Sequence, residues 1–336
     1  MPPIFDKRNR SIRDLRISVT DKCNFRCPYC MPAEIFGESY VFLPREEILT
    51  FEELARLTRL FVGHGVTKVR ITGGEPLLRR DLESLVAQVA QIDGVEDLTL
   101  TTNGYLLAEK AQALMQAGLH RLTVSLDAID DETFNVMSGR EHGSARGLAG
   151  IAAAQDAGFS PIKVNVVVQR GVNDHLVVDL ARHFHGTPHI LRFIEFMDVG
   201  NRNNWQMAQV VSAAEIVSSI HKVLPLEPLD PNYPGEVARR YRYLDDGGEI
   251  GVIASVTQPF CGDCTRARLS TDGKLYTCLF ASQGHNFRDL MRSGASDEEI
   301  NRRIADVWTT REDRYSELRF DQTPQVRKVE MYQIGG

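Results

Sequence analysis

Leu15-Arg16-Ile17-Ser18-Val19-Thr20-Asp21-Lys22-Cys23-Asn24-Phe25-Arg26-Cys27-Pro28-Tyr29-Cys30 is the stretch from which the architecture can be read. Residues 15–19 are a short β-prone run and predict a strand. The chain then leaves the strand and places three cysteines, spaced Cys-x3-Cys-x2-Cys, on the loop that follows. Five further runs of strand character come after it: Lys68–Thr72, Asp97–Thr101, Arg121–Ser125, Lys163–Val168 and Leu191–Phe196. Several are almost continuously apolar, as in Val164-Asn165-Val166-Val167-Val168. Such runs predict strands buried on both faces of a parallel sheet.

Helical patterns fall between the strands. Thr50-Phe51-Glu52-Glu53 is a capping box opening a helix toward Val62, and Gly63 and Gly65 supply its stop. Residues 81–91, 106–117, 145–157 and 174–183 carry the next helical stretches. Each strand-plus-helix unit spans about 30–40 residues, the size of a βα repeat. Six units predict an α/β fold, an incomplete (β/α)6 parallel barrel, with a doubly wound sheet as the competing architecture. Candidate chemical groups follow several different strands, which favours the barrel, because its C-terminal face gathers many strand ends.

The texture changes after Met197. Asn201-Arg202-Asn203-Asn204 is polar, and the later strand runs (Arg239–Tyr243, Ile250–Ile253, Ala267–Ser270, Lys274–Tyr276) are short. Helical stretches follow near 286–292 and 296–307. The expected division is residues 1–200 for the partial barrel and 201–336 for a smaller α+β region.

Composition narrows the function. A chain of 336 residues, 43% hydrophobic and 25% charged, is ordinary globular material and excludes disordered or collagenous readings. A net charge of −6 argues against a nucleic-acid binder or a basic membrane-surface protein. An anionic substrate therefore needs a local cluster of Lys and Arg. No run reaches the roughly 18 apolar residues of a membrane span. The first residues carry Asp6, Lys7, Arg8, Arg10 and Arg13 with no apolar stretch among them, so a cytoplasmic location is expected.

All six cysteines fall into two triplets, Cys23, Cys27, Cys30 and Cys261, Cys264, Cys278. Tight groups like these point to metal rather than to disulfides. A structural zinc site wants four closed ligands, and each triplet lacks a fourth cysteine; His285 is the nearest other donor to the second. Thiolates at short spacing also hold iron–sulfur clusters, and a four-iron cluster on three cysteines leaves one iron open. Beside the second triplet, Arg266 and Arg268 lie two apart. On a strand they share a face, and guanidinium forks match phosphate oxygens, so a phosphorylated substrate is expected. Thr72-Gly73-Gly74-Glu75-Pro76, after the second strand, reads either as a backbone approach to a ligand or as a tight turn. His183, His185 and His189 lie together at a helix-to-strand loop and carry no expectation of a metal.

The first triplet, with Tyr29 beside its third cysteine, resembles the radical S-adenosylmethionine superfamily. With the second triplet, Thr265-Arg266-Ala267-Arg268 and the Gly335-Gly336 terminus, the whole chain resembles the GTP 3′,8-cyclase family of molybdenum cofactor biosynthesis. The resemblance implies a barrel of the radical S-adenosylmethionine type, two 4Fe–4S clusters and S-adenosylmethionine as cofactors, and cysteine ligands in both triplets. It implies that Tyr29, Gly74, Ser125 and Met197 bind S-adenosylmethionine. Arg16, Arg70, Thr101, Lys163, Arg266, Ala267 and Arg268 correspond to GTP contacts, and Arg192 joins the phosphate cluster. Gly335 and Gly336 correspond to a tail that enters the active site as a catalytic element. The implied reaction converts GTP to 3′,8-cyclo-7,8-dihydroguanosine 5′-triphosphate. The implied partners are an electron donor such as flavodoxin or ferredoxin and a downstream cyclic pyranopterin monophosphate synthase, with a homodimer among the compatible assemblies. Outside the resemblance, two other readings stand: a twin-cluster radical enzyme on another substrate such as a peptide, and a noncatalytic iron–sulfur or zinc regulator.

Overall fold

Parallel strand pairing carries the architecture. The computed structural model describes residues 3–233, 235–319 and 327–335. The elements run β1 (Asp14–Ser18), α1 (Phe51–Gly63), β2 (Lys68–Thr72), α2 (Leu82–Ala90), β3 (Asp97–Thr102), α3 (Leu107–Gln116), β4 (Arg121–Ser125), α4 (Asp131–Ser138), α5 (Ala145–Asp156), β5 (Lys163–Val168), α6 (Val177–Phe184) and β6 (Ile190–Glu195). Then come α7 (Ala213–His221), β7 (Leu226–Leu229), β8 (Arg239–Tyr243), β9 (Glu249–Ile253), β10 (Arg266–Leu269), β11 (Lys274–Tyr276), β12 (His285–Asn286), α8 (Arg288–Arg292), α9 (Asp297–Thr309), α10 (Tyr315–Leu318) and α11 (Met331–Ile334).

Strands β1 to β6 pair in chain order, all parallel. Strand β10 joins the free edge of β1 and β9 joins that of β6, both again parallel. Antiparallel partners close each flank, giving one sheet in the order β12-β11-β10-β1-β2-β3-β4-β5-β6-β9-β8-β7. The two outer strands do not pair with each other, so the barrel is incomplete. The expected six-strand core is wider than the sequence implied, because the region after residue 200 extends it at both edges. That placement sets β10, with its arginines, directly beside β1.

The sheet has one apolar and one polar face. Leu15, Ile17, Val69, Ile71, Leu98, Leu100, Leu122, Val124, Val164, Val166 and Phe193 are almost fully buried in the main core. Alternate positions carry Arg16, Arg70, Thr101, Thr123, Lys163, Asn165 and Arg192. The expectation that β5 is buried on both faces is therefore corrected: Val164, Val166 and Val168 are buried, while Lys163, Asn165 and Val167 are only half-buried. A parallel strand over a packed lumen would be apolar on both sides. Here the other side belongs to the polar face of the sheet, so the strand alternates.

Helix α1 shows how the outer layer is held. Its N-terminus is the expected capping box, with Thr50 and Glu53 each accepting from the other's backbone N–H. Leu54, Leu57, Leu60 and Phe61 bury one face, at roughly 1.5–3 kcal/mol for each fully buried large side chain. At the end of β6, buried Glu195 accepts from the backbone N–H of Ala213, Val256 and Thr257, each at 2.8 Å, and from Thr257 Oγ1 at 2.5 Å. One carboxylate thus ties the barrel to α7 and to the segment leading to Cys261. Glu195→Gln leaves several of these donors poorly matched and is expected to cost about 2–4 kcal/mol. The urea midpoint of the protein measures it; an unchanged midpoint would count against this role.

Candidate functional site

The first cysteine loop is seated by backbone contact with the turn after β2. Gly74 N–H donates to Thr20 O at 2.7 Å and Glu75 N–H to Lys22 O at 2.8 Å. A Cβ at Gly73 would lie 2.8 Å from Thr20 O, and one at Gly74 would collide with the Lys22 carbonyl. Neither glycine has a positive φ, so close approach, not turn geometry, demands them. Glu75 lies beneath, accepting from Leu77 N–H (3.0 Å), Asn103 N–H (2.7 Å) and Thr102 Oγ1 (2.6 Å). Burial pushes its carboxyl up to about 7. Within the loop, the N–H groups of Cys30 and Met31 both donate to Cys27 O, and Phe25 N–H reaches Cys23 Sγ at 3.4 Å. Tyr29 donates to Asp127 Oδ2 at 2.6 Å, and Val167 N–H donates to Asp127 Oδ1 at 2.8 Å.

The second triplet differs in its electrostatics. Arg266 Nε donates to Cys264 Sγ at 3.3 Å and Phe280 N–H to Cys278 Sγ at 3.5 Å. Burial raises the Cys264 thiol, but Arg266 and Arg311 outweigh it and bring it down to about 6. Cys278 is pushed up to about 12 by burial and by Asp313. In the first triplet, burial and neighbouring charges push Cys23 up to about 12 and Cys27 and Cys30 upward as well.

None of the six cysteines is in a disulfide. Among the described residues no three His, Cys, Asp or Glu side chains converge where a single bare ion would sit. A polynuclear cluster takes each thiolate at a different iron, so its donors stand apart. Both triplets, half-buried and all-sulfur, fit such a cluster. His285 sits exposed on β12 beside Arg303, and His185 pairs with Asp245 at 3.0 Å.

Between the triplets, the polar face of the sheet forms one cationic surface. Arg268 registers with Arg16, Arg16 with Arg70, and Thr123 with Lys163 across neighbouring strands. Arg70 donates to Thr101 Oγ1 at 2.9 Å and to Thr123 Oγ1 at 3.3 Å. Thr101 therefore lies on this polar face, whereas Thr102 is turned away onto Glu75. The Nε atoms of Arg16, Arg70 and Arg192, Thr72 Oγ1 and Asn165 Oδ1 are buried without a partner. Burial and neighbouring cations push Lys163 down to about 7, Lys68 to about 8, Arg192 to about 9 and Arg268 to about 10. Ala267 lies between Arg266 and Arg268 on β10, and its methyl faces the opposite, apolar side. The residue is fully buried and paired with Leu15 in the sheet.

The C-terminal tail lies against the polar face of the sheet. Tyr332 packs with Met31 and Phe36 by the first cysteine loop, and its hydroxyl meets that of Tyr40 at 2.8 Å. Ile334 packs with Tyr276 and Val329, against Leu279 and Ala281 beside Cys278. Gly335 follows with φ +69, its carbonyl accepting from Arg268, and a Cβ there would collide with Thr72. Gly336 lies outside the described residues. Ser125 ends β4 and Met197 follows β6, both half-buried at the strand ends that share a face with Gly74. Sequence reading passed over Lys68, Arg121, Asn165 and Asp127. Lys68 and Arg70 repeat the two-residue spacing of Arg266 and Arg268, a signal that was there to be used.

Comparison with known proteins adds two domain matches. Residues 17–184 match the Radical SAM superfamily model and residues 189–317 match Molybdenum Cofactor Synthesis C. Relatives named GTP 3′,8-cyclase include those of Acidothermus cellulolyticus (53% identical, 99% of each chain) and Xanthomonas axonopodis pv. citri (53%, 99% of each). One from Staphylococcus carnosus is 51% identical over 99% of each chain. Among solved structures, Streptococcus suis SuiB bound to S-adenosylmethionine shares the fold at 13% identity, with TM-score 0.62 over 88% of this chain and 69% of that one.

The crowded cations make a pH prediction. Burial, then Arg192, Arg121, Lys68 and Arg70, disfavour the charged form of Lys163, and a bound polyanion restores it. Binding of inorganic tripolyphosphate is expected to take up protons and to weaken as pH rises from about 7 to 9, in the window above the lowered value. Lys163→Met removes the Lys163 part of this slope, leaving that of Lys68, which burial and Arg70 hold at about 8. Calorimetry in buffers of different ionisation enthalpy measures it, and a pH-independent affinity in the unsubstituted chain would contradict it.

Proposed function

We propose, from the premise that the chain belongs to the GTP 3′,8-cyclase family of the radical S-adenosylmethionine superfamily, that it converts GTP to 3′,8-cyclo-7,8-dihydroguanosine 5′-triphosphate, the first step of molybdenum cofactor biosynthesis. The observation that carries the reading is the polar face of the sheet itself: Arg268, Arg16 and Arg70 stand in register on it, and the Nε atoms of Arg16, Arg70 and Arg192 have no hydrogen-bond partner. A nucleoside triphosphate supplies the anionic oxygens those groups lack.

In this reading residues 1–200 hold the first 4Fe–4S cluster through Cys23, Cys27 and Cys30, and residues 201–336 hold the second through Cys261, Cys264 and Cys278. When bound, the reduced first cluster with S-adenosylmethionine supplies the one-electron chemistry that removes hydrogen from ribose C3′ before C3′ joins C8 of guanine. The chain's own work is binding, orientation and exclusion of water. Tyr29, Gly74, Ser125 and Met197 border the S-adenosylmethionine site at the strand ends. Asp127 holds the Tyr29 hydroxyl. Arg16, Arg70, Lys163, Arg192, Arg266 and Arg268 take the triphosphate, with Thr101 and the Ala267 backbone beside them. Fixing the polyphosphate lets its binding energy orient C3′. The tail at Gly335 narrows the cavity between the triplets and keeps water from the reacting carbons. A flavodoxin- or ferredoxin-type protein delivers the electron, and a cyclic pyranopterin monophosphate synthase takes the product.

Anaerobic incubation with GTP, S-adenosylmethionine and a strong reductant tests the function. 5′-Deoxyadenosine should appear as GTP disappears; its formation without GTP loss would direct the reading to another substrate. Arg266→Ala and Arg268→Ala are each expected to weaken GTP roughly 10- to 100-fold and guanosine little. Equal losses for both ligands would exclude a phosphate role. Removal of Gly335 and Gly336 should abolish turnover with both clusters retained, and normal turnover would dismiss the tail.

A further inference from the structure

Against the backbone of the second cysteine loop lies a set of buried charges that the proposed substrate binding does not use. Residues 5–11 form a small hairpin bridged by Phe5 and Ser11. Asp6 is its hub. Its Oδ1 accepts from the N–H groups of Arg8 and Arg10, each at 2.9 Å, and its Oδ2 accepts from Arg10 Nε (2.6 Å) and one terminal nitrogen of Arg311 (3.3 Å). The side chains of Asp6, Arg10 and Arg311 are at most 2% exposed. Trp308 closes the group, its Nε1 donating to Arg10 O at 3.0 Å while the Arg311 guanidinium lies 4.6 Å from its ring centroid.

The two guanidinium groups converge on the Cys-x2-Cys loop. Arg10 donates to Cys261 O at 2.7 Å and to Asp313 O at 2.8 Å. Arg311 donates to Cys264 O at 2.7 Å and through Nε to Asp313 Oδ2 at 3.3 Å. Each cysteine of the pair is thus held by its own backbone carbonyl. The loop has no regular structure, and its internal bond, Cys264 N–H to Cys261 O, is long at 3.3 Å. Its shape therefore depends on the two forks. Asp6 in turn pairs with both guanidiniums; Arg311 has Asp313 as a second carboxylate partner, but without Asp6 the buried Arg10 would lose its carboxylate partner.

We propose that Asp6, Arg10 and Arg311 form a buried clamp that presets the Cys261–Cys264 loop for its iron–sulfur cluster. They are positioning residues for the second cluster, and this rests on the reading that the second triplet holds one. Ligand side chains held in advance release a metal centre only when the loop opens, and supporting hydrogen bonds around a site govern its retention. The first triplet touches none of the three residues and is indifferent to them.

The test uses the full chain in two backgrounds, one with Cys23, Cys27 and Cys30 replaced by Ala and the other with Cys261, Cys264 and Cys278 replaced. Each background carries no further change, Asp6→Asn, Arg10→Gln, Arg311→Lys or Arg311→Ala. After anaerobic reconstitution, transfer of iron to a ferrous chelator is timed, and circular dichroism follows the fold. Where only the second triplet remains, the clamp variants should lose iron roughly tenfold faster or more. Arg311→Lys should fall between the unsubstituted chain and Arg311→Ala, since one ammonium keeps the charge but cannot make all the contacts of the fork. Where only the first triplet remains, the rates should not move. Unchanged iron loss in the second-triplet background overturns the clamp. So does equal acceleration in both backgrounds, or a lost circular dichroism signal in Asp6→Asn, Arg10→Gln and Arg311→Lys alike, since the group would then support the whole fold. If the otherwise unsubstituted second-triplet chain takes up no iron, the cluster reading fails and the clamp with it.

Discussion

The desolvation and crowding of cations on one face of the sheet is the constraint around which this molecule is arranged. Arg16, Arg70, Lys163, Arg192 and Arg268 share one face of the sheet, and none of them has a carboxylate ion-pair partner there among the described residues. Such a face lowers the stability of the empty protein. It is tolerated because the opposite face buries a nearly continuous apolar layer beneath the helices. On the proposed reading the face is preorganised: its cations already stand together in register, so little rearrangement is needed to bind a polyanion. On the same reading, a protein of net charge −6 holds a triphosphate because positive charge is concentrated on one face of the sheet.

Topology brings the rest of the site to that place. The region after residue 200 does not sit apart from the barrel; its strands β9 and β10 extend it at either edge. Because β10 lies parallel to β1, Arg266 and Arg268 line up with Asp14 and Arg16, and Cys264 comes to the same end of the molecule as Asp14 rather than to a distant lobe. The tail completes the enclosure, with Tyr332 against the first cysteine loop and Ile334 beside the second. Its Gly335 carbonyl meets Arg268, a neutral dipole in place of an anion.

Much of this was legible in the sequence, for identifiable reasons. The strands at Lys68–Thr72, Arg121–Ser125 and Lys163–Val168 were bounded correctly because β-prone runs and turn residues agree there. The α1 capping box was also readable, since Thr50 and Glu53 act within four residues. Cysteine spacing marked both triplets. What escaped depends on long-range placement. The polar inner face of β5 was hidden because Val167 makes the run look continuous, although Lys163 and Asn165 already marked alternate positions. The parallel addition of β9 and β10 at opposite edges leaves no local trace. Nor could spacing show that the methyl of Ala267 faces away from Arg266 and Arg268, or that Asp6 meets Arg311, 305 residues along the chain.

The central claim, one cationic cavity bounded by two iron–sulfur centres, is tested most directly by diffraction from anaerobic crystals grown with GTP, using iron anomalous scattering. The account predicts iron at both cysteine triplets and phosphate density against Arg16, Arg70 and Arg268 on the inner face of the sheet. Iron at only one triplet, or phosphates bound outside the sheet, would contradict it.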